Sequence, residues 1–180
     1  MQLKSIILCF AFLLIGTSSN EDTISWDKDR KLTWEDFKAD PDANSDAVAL
    51  TASGITFGYS VKTSGRRIIG FTTSVEAHFY PDKSWYVTAS ADDYILGHEQ
   101  LHFDITELYA RKFRQQLDRL VVNQNIKIQM NQIHEAINSA LTKTQHTYDE
   151  QTQHSIVVDA QKYWENFIAE ELQKLDKYKS

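Results

Sequence analysis

Apolar and polar residues alternate with a period of two in the first half of the chain, and this alternation predicts β-strands. The alternation runs over residues 55–61 and again over residues 69–79. Between these stretches, Thr63–Arg66 contains a glycine and has the composition of a turn. The pattern therefore predicts an antiparallel hairpin with one buried face, followed by a short third strand near Trp85 and Val87.

The second half of the chain changes to the three-to-four-residue period of amphipathic helices. We predict three helices, over roughly residues 91–122, 126–141 and 152–175, with Thr152 as the N-cap of the third. Strands that precede helices, without a repeat or a linker, predict a single α+β domain over residues 20–180.

The first nineteen residues differ from the rest of the chain. Lys4 precedes an almost unbroken apolar run over residues 5–15, and small residues follow at 16–19. This order is typical of a secretory signal peptide, which we assign to residues 1–19. The apolar run is too short to span a bilayer comfortably. We therefore expect a secreted protein, periplasmic or extracellular, with no membrane attachment after the signal is cleaved.

Composition narrows the choice of partners. The formal net charge is -6, and the chain contains no block of lysine and arginine, so we expect no nucleic-acid partner. Cys9 is the only cysteine and lies within the predicted signal peptide. The mature protein should therefore form no disulfide and must rely on its core, on a metal, or on both.

The candidate chemistry lies in His98–His102, which has the pattern H-E-x-x-H inside the first predicted helix. Helical residues four positions apart lie about 40° from each other around the axis, so both imidazoles can bind one tetrahedral ion. Glu99 flanks that ion and can act as general base for a zinc-activated water. The alternative is a pair of core histidines bonded to their neighbours. The adjacent glutamate favours a Zn²⁺ site.

The third ligand must come from another segment of the chain. Asp104 and Glu107 point to other sides of the first helix, so neither reaches an ion held by the histidine pair. The expected junction of the second and third helices can turn a side chain back toward the first helix. His154 is the preferred ligand there, and His146 and Asp149 are the alternatives.

Three further interpretations concern residues around this site. The hydroxyl of Tyr148 can stabilise an oxyanion, although packing at the junction explains this tyrosine equally well. His134 has no second histidine at the required spacing and is expected on the surface or in packing. The strand segment Ser74–Tyr80 is a candidate for pairing with an extended substrate peptide.

Residues 97–111 resemble the central motif of a bacterial family of unknown function. Its members are described as predicted secreted zinc-dependent proteases and are grouped with the zincin metallopeptidases. Residues 32–37 and 51–55 resemble the N-terminal part of that family. The chain also resembles the family's C-terminal signature, at residues Tyr148, Asp149, Thr152, His154, Gln161 and Trp164. Ser155 stands where the family often has glycine. The resemblance implies a zincin-like domain with H-E-x-x-H on the first long helix.

Motif and resemblance together predict a secreted zinc-dependent hydrolase, a metalloprotease that cleaves peptide bonds. Its substrate would be a protein or peptide, for example one of the cell envelope. We expect His98, His102 and His154 as zinc ligands and Glu99 and Tyr148 as catalytic residues. The alternatives are a non-enzymatic, zinc-stabilised module that binds an envelope partner, and an inactive zincin relative. The presence of Glu99 argues against the inactive relative.

Overall fold

A computed structural model describes residues 22–45 and 47–180, so the predicted signal peptide lies outside the described residues. Antiparallel strands come first, and three helices follow. The predicted α+β class is therefore confirmed. None of the helices in the described ranges is long and apolar enough to cross a membrane.

The strands form two small antiparallel sheets. Their bounds are β1 (Ile24–Ser25), β2 (Ala49–Leu50), β3 (Ser53–Ser64), β4 (Arg67–Phe79) and β5 (Trp85–Tyr86). The larger sheet has the order β1-β4-β3, and β2 pairs with β5 in the smaller one. The predicted hairpin corresponds to β3 and β4, and the short third strand corresponds to β5.

The hairpin turns at Gly65, whose φ of 59° lies in the left-handed region that glycine enters without steric cost. Along β4 the inward residues Val75, Ala77 and Phe79 are buried. These side chains lie on alternate positions, as the period-two pattern predicted. One face of the hairpin therefore packs into the core.

The proposed use of Ser74–Tyr80 as a docking strand for a peptide is wrong. At its C-terminal end β4 pairs with β1 on one side and with β3 on the other. The backbone nitrogen of Trp26 also donates to the Ala77 carbonyl, and the Arg114 guanidinium donates to the Val75 carbonyl at 2.8 Å. Both edges of this segment already have partners, so an added strand has no backbone groups to pair with there.

The helices are α1 (Asp93–Asp118), α2 (Ile126–Thr152) and α3 (Val158–Lys174). The side chain of Asp92 caps α1 by accepting a hydrogen bond from the backbone nitrogen of Ile95 at 2.8 Å. Asp92 is thus the residue that starts the helix which carries the motif.

The second helix extends well beyond its predicted end at residue 141. Its last turns are mostly polar, and the buried residues Leu141, Tyr148 and Thr152 are too sparse to show a periodic apolar stripe. The prediction that Thr152 caps the third helix is wrong, because this residue ends α2 and its hydroxyl donates to the Tyr148 carbonyl at 2.8 Å. Residues 148 and 149 consequently lie on a helix and not in a junction loop.

Two apolar clusters hold these elements together. The first packs α1 against the sheet and the start of α2, and includes Phe79, Phe103 and Phe113. The second packs α1 against α2 and α3 and includes Tyr148 and Trp164. Burying an aliphatic or aromatic side chain contributes about 1.5–3 kcal/mol. The second cluster fixes the distance between α1 and α2, the two helices that build the site described below.

Charged residues on α1 add a buried link. Glu107 is fully buried and accepts hydrogen bonds from Arg111 Nε at 2.8 Å and Arg114 Nη1 at 3.1 Å. Arg114 also donates to the carbonyls of Val75 and Tyr178, at 2.8 Å each. Hydrogen-bonded partners are what make a buried carboxylate tolerable. Arg114, which is paired with Glu107, therefore joins α1 to β4 and to the C-terminal turn, and Glu107 takes no part in the site.

Candidate metal centre

His98 and His102 lie one turn apart on the face of α1 that packs against α2. The centroids of their imidazole rings are 4.9 Å apart, and the rings are almost perpendicular to each other. His98 is only 3% exposed. The imidazole of His98 therefore points into the interior of the protein.

Asp149, in the last turn of α2, approaches both imidazoles with one oxygen. Its Oδ1 lies 3.2 Å from His98 Nε2 and 2.9 Å from His102 Nε2. Ligand atoms of the three residues all lie within 4.8 Å of one another. Within the described ranges, the two histidines and Asp149 thus form a group that can hold a metal ion. The aspartate was one of the alternatives left open by the sequence.

The chemistry of these side chains suits a metal ion such as zinc. Zinc bonds to nitrogen and oxygen are about 2.0–2.2 Å long, and tetrahedral angles then place neighbouring ligand atoms about 3.3–3.5 Å apart. The observed separations of 3.2 Å and 2.9 Å between Asp149 Oδ1 and the two Nε2 atoms are hydrogen-bond distances slightly below this value. Two imidazoles and one carboxylate are also a common donor set for a zinc ion with an open fourth position.

Electrostatics couple the aspartate to the imidazoles. Burial alone would lower the pKa of His102, but the hydrogen bond to Asp149 and the charges of Glu99 and Asp149 raise it overall. Burial would raise the pKa of Asp149, yet its hydrogen bonds to His102 and His98 hold that pKa well below the ordinary value of 3.8. Without a metal, the carboxylate is therefore ionised and paired with histidine.

Glu99 follows the first histidine and is 5% exposed. Its Oε2 is buried and has no hydrogen-bond partner among the described residues. The backbone carbonyl of Glu99, by contrast, accepts a hydrogen bond from the Thr51 hydroxyl at 3.2 Å. A buried polar group left without a partner costs about 1–3 kcal/mol. Such a group is rare in native proteins unless water, an ion or catalysis explains it.

Tyr148 forms the wall behind the two histidines. It is fully buried, its ring stacks on His98 with centroids 4.5 Å apart, and it meets His102 edge-on at 4.9 Å. Its hydroxyl donates to the backbone carbonyl of His98 at 3.3 Å, and burial raises the pKa of Tyr148. These contacts position the imidazoles. The oxyanion role stays a prediction.

Gln145 is a site residue that sequence reasoning missed. Its Oε1 lies 2.6 Å from His102 Nδ1, on the side of the ring away from Asp149. The only available signal was its position four residues before Asp149, which becomes meaningful once both residues share a helix. The predicted end of α2 at residue 141 concealed that relationship.

His154 lies beside the centre but outside the convergent group. Its side chain is 77% exposed, and its Nδ1 is 3.7 Å from Asp149 Oδ1. Gln153, His154 and Ser155 all have positive φ, at 47°, 54° and 72°. Non-glycine residues with such backbone angles are uncommon and often lie near functional sites. The role of His154 as a zinc ligand stays a prediction.

The remaining histidines lie apart from this group. His146 is exposed on α2. His134 stacks on Phe113 with ring centroids 5.6 Å apart, and its ring is also 5.3 Å from that of Phe57. A surface or packing position was expected for His134, and these contacts are those of a packing residue.

Fold and site together define an α+β protein with a candidate metal centre between its first two helices. The model of the family described as "Bacterial protein of unknown function (DUF922)" matches residues 27–155, which is more than half of the chain. The chain therefore belongs to this family. The matched range includes both helices of the centre and His154. Neither the curated proteins nor the solved structures contain a match to the chain.

Proposed function

We propose that the protein is a zinc-dependent hydrolase that cleaves peptide bonds. The observation that carries the proposal is the convergence of His98, His102 and Asp149 beside the unpartnered carboxylate oxygen of Glu99. A helix that carries the H-E-x-x-H residues and follows antiparallel strands also supports a zincin-like fold.

Each residue has a distinct part in the proposed reaction. His98, His102 and Asp149 would hold the ion through two nitrogens and one oxygen. Zinc supplies Lewis-acid chemistry, because it polarises a carbonyl group and makes a water molecule more acidic. Glu99 would accept a proton from the attacking water and deliver it to the nitrogen of the leaving amine. The position of Glu99 favours this role, because its buried Oε2 has no hydrogen-bond partner among the described residues and can contact a water held at the ion.

We also propose secretion, from the signal-peptide pattern of residues 1–19. The substrate would then be a protein or peptide of the periplasm, the envelope or the extracellular medium. The net charge of -6 supports the exclusion of nucleic acid as a partner.

The test compares the zinc-loaded protein with its Glu99→Gln variant on a mixture of unstructured peptides, with products identified by mass spectrometry. We expect cleavage by the unmodified protein and a loss of about 10²–10⁴-fold in the variant, the usual contribution of a general base. Zinc affinity should change little, because Glu99 is not a ligand. Glu135→Gln, an exposed change on α2, serves as the matched control. Cleavage that survives Glu99→Gln, or zinc binding without any cleavage, would refute the proposal; the second result describes an inactive relative.

A second candidate is a zinc-stabilised module that binds an envelope partner without hydrolysis. The specific observation in its favour is His154, whose Nδ1 is 3.7 Å from Asp149 Oδ1 and which can complete a closed set of four protein ligands. X-ray absorption of the zinc-loaded protein separates the two functions. Hydrolysis predicts two imidazoles and oxygen ligands, whereas the module predicts three imidazoles with no water.

A further inference from the structure

We infer that Gln145 is a positioning residue that sets the tautomer and orientation of His102; the inference rests on the proposed metal site. Gln145 and Asp149 lie one helical turn apart on α2 and contact opposite nitrogens of the same ring. Gln145 Oε1 is 2.6 Å from Nδ1, and Asp149 Oδ1 is 2.9 Å from Nε2. The ring is thus held from both sides by a single helix.

A second contact fixes which end of the Gln145 amide faces the ring. The amide nitrogen lies 2.9 Å from the backbone carbonyl oxygen of His102 and 3.3 Å from Thr106 Oγ1. A carbonyl oxygen can only accept a hydrogen bond, so it requires the NH₂ group there. The amide oxygen must then face Nδ1.

This orientation determines where the proton of the neutral ring lies. An amide oxygen only accepts, so Nδ1 of His102 must carry a hydrogen and donate it to Gln145. With an ion on Nε2, the lone pair of the neutral ring lies there; without an ion, the Asp149 carboxylate accepts a hydrogen from Nε2. A partner on the second nitrogen of a histidine ligand commonly fixes tautomer and ring plane in this way.

The other histidine differs. His98 Nδ1 is buried and has no partner among the described residues, and its ring is held by stacking on Tyr148. Of the two histidines, only His102 therefore has a side-chain partner on Nδ1, the nitrogen that faces away from Asp149. Loss of Gln145 should affect one ligand and leave the other in place.

The experiment measures two quantities that do not require activity. Two-bond ¹H–¹⁵N correlation spectra report which nitrogen of His102 carries the hydrogen in the zinc-loaded protein. Chelator competition reports zinc affinity for the unmodified protein, Gln145→Met, Gln145→Glu and the control Gln132→Met. Gln132 is exposed on the same helix, so the control repeats the chemical change away from the site.

We expect the Nδ1–H tautomer of His102 in the unmodified protein and a mixture in Gln145→Met. Zinc affinity should fall about 10–100-fold in Gln145→Met. Gln145→Glu keeps an acceptor for Nδ1–H but loses the donor to the His102 carbonyl, so it should restore only part of that affinity, while Gln132→Met should change nothing. An Nε2–H ring in the unmodified protein, or a Gln145→Met spectrum identical to it, would overturn the inference.

The tautomer measurement also separates this inference from the proposed function. If the protein binds zinc but cleaves no peptide, the proposed function fails, yet the Nδ1–H tautomer still supports Gln145 as the residue that positions the ring; a protein that binds no zinc ends both. If zinc binding and cleavage are found while the ring carries its hydrogen on Nε2, the inference fails alone. Should Gln145→Met fold poorly, the spectrum of the unmodified protein decides.

Discussion

Asp149 Oδ1 lies 2.9 Å from His102 Nε2, although the two residues belong to different helices. The contact exists because α2 continues to Thr152 and because apolar packing around Tyr148 holds α2 against α1. The same oxygen is 3.2 Å from His98 Nε2. The end of α2 therefore supplies the group that converts a histidine pair into a three-ligand centre.

The identity of the third ligand is testable by substitution. Asp149→Ala should weaken zinc binding more than about 100-fold, because it removes the oxygen that faces both imidazoles; this exceeds the 10–100-fold typical of residues that only support a ligand. His154→Ala should weaken it less than about tenfold. Chelator competition measures both affinities, and His146→Ala is the control because this histidine is exposed on α2. Loss of zinc from the His154 variant with retention in the Asp149 variant would restore the sequence-based assignment.

As the pH rises through the pKa of His102 in the folded protein, the metal-free protein should lose stability, while the stabilisation provided by zinc should grow. The pKa of Asp149 is lowered on folding, so this residue stabilises the metal-free fold above pH 3.8. This contribution is lost as the pH falls through the pKa of Asp149 in the folded protein. The pKa of His102 is raised on folding, so this residue stabilises the metal-free fold fully below pH 6.5. This contribution is lost as the pH rises through the pKa of His102 in the folded protein. Zinc binding needs neutral imidazoles, so stabilisation by zinc should grow over the same rise.

Thermal unfolding measured with a chelator and with zinc checks this pH dependence. The groups that face the pair are Glu99, His98 and His154, so the Asp149→Asn variant isolates the contribution of the aspartate. The chelated variant should lose the stability maximum between pH 3.8 and 6.5. Parallel curves with and without zinc above pH 6.5 would contradict the prediction.

Tyr148→Phe tests the predicted oxyanion role directly. The hydroxyl donates to the His98 carbonyl, so its removal should lower the free energy of unfolding by about 1 kcal/mol. The oxyanion role predicts a loss of about 10²–10³-fold in peptide cleavage, whereas a tyrosine that only positions the imidazoles predicts a change within about tenfold. Peptide-cleavage rates of Tyr148→Phe and the unmodified protein at saturating peptide distinguish these two outcomes. Tyr163→Phe is the control, because this tyrosine is exposed on α3.

Ser155→Gly should stabilise the fold. Ser155 has a φ of 72°, and the left-handed conformation costs a residue with a Cβ about 1–2 kcal/mol, whereas glycine loses about 0.5–1 kcal/mol more chain entropy on folding. The free energy of unfolding from urea titrations should rise by about 0.5–1 kcal/mol.

Gly65→Ala provides the converse of the serine substitution. Gly65 has a φ of 59°, and a Cβ added there meets nothing within 4 Å, so only backbone strain is introduced. It should destabilise by about 1 kcal/mol. A destabilising Ser155→Gly would show that the Ser155 side chain contributes more than its backbone strain costs.

The sequence predicts some parts of this molecule well for identifiable reasons. Dense periodic patterns predict β3, β4 and α1, and the spacing of His98 and His102 predicts their shared face. The last turns of α2 are not predicted, because their buried residues Leu141, Tyr148 and Thr152 are seven and four positions apart and too few to show a periodic pattern. Asp149 and Gln145 become recognisable only when that helix is extended and packed.

Tertiary partners explain two other differences. Arg111 has the position and charge of a surface residue, yet it is 3% exposed because Glu107 pairs with it. The pattern predicts β4 only as one strand of a hairpin, yet β1 returns from the N-terminal segment to pair with its end. Both contacts form only when the chain folds, so the periodicity of a single sequence does not predict them.

Zinc content measured by native mass spectrometry tests the central claim most directly. The mature protein is stripped of metal, incubated with zinc and compared with the His98→Ala/His102→Ala double variant. We expect a single zinc ion per chain in the unmodified protein and none in the double variant. A protein that takes up no zinc, or a double variant that retains it, would contradict the assignment of the centre to these histidines.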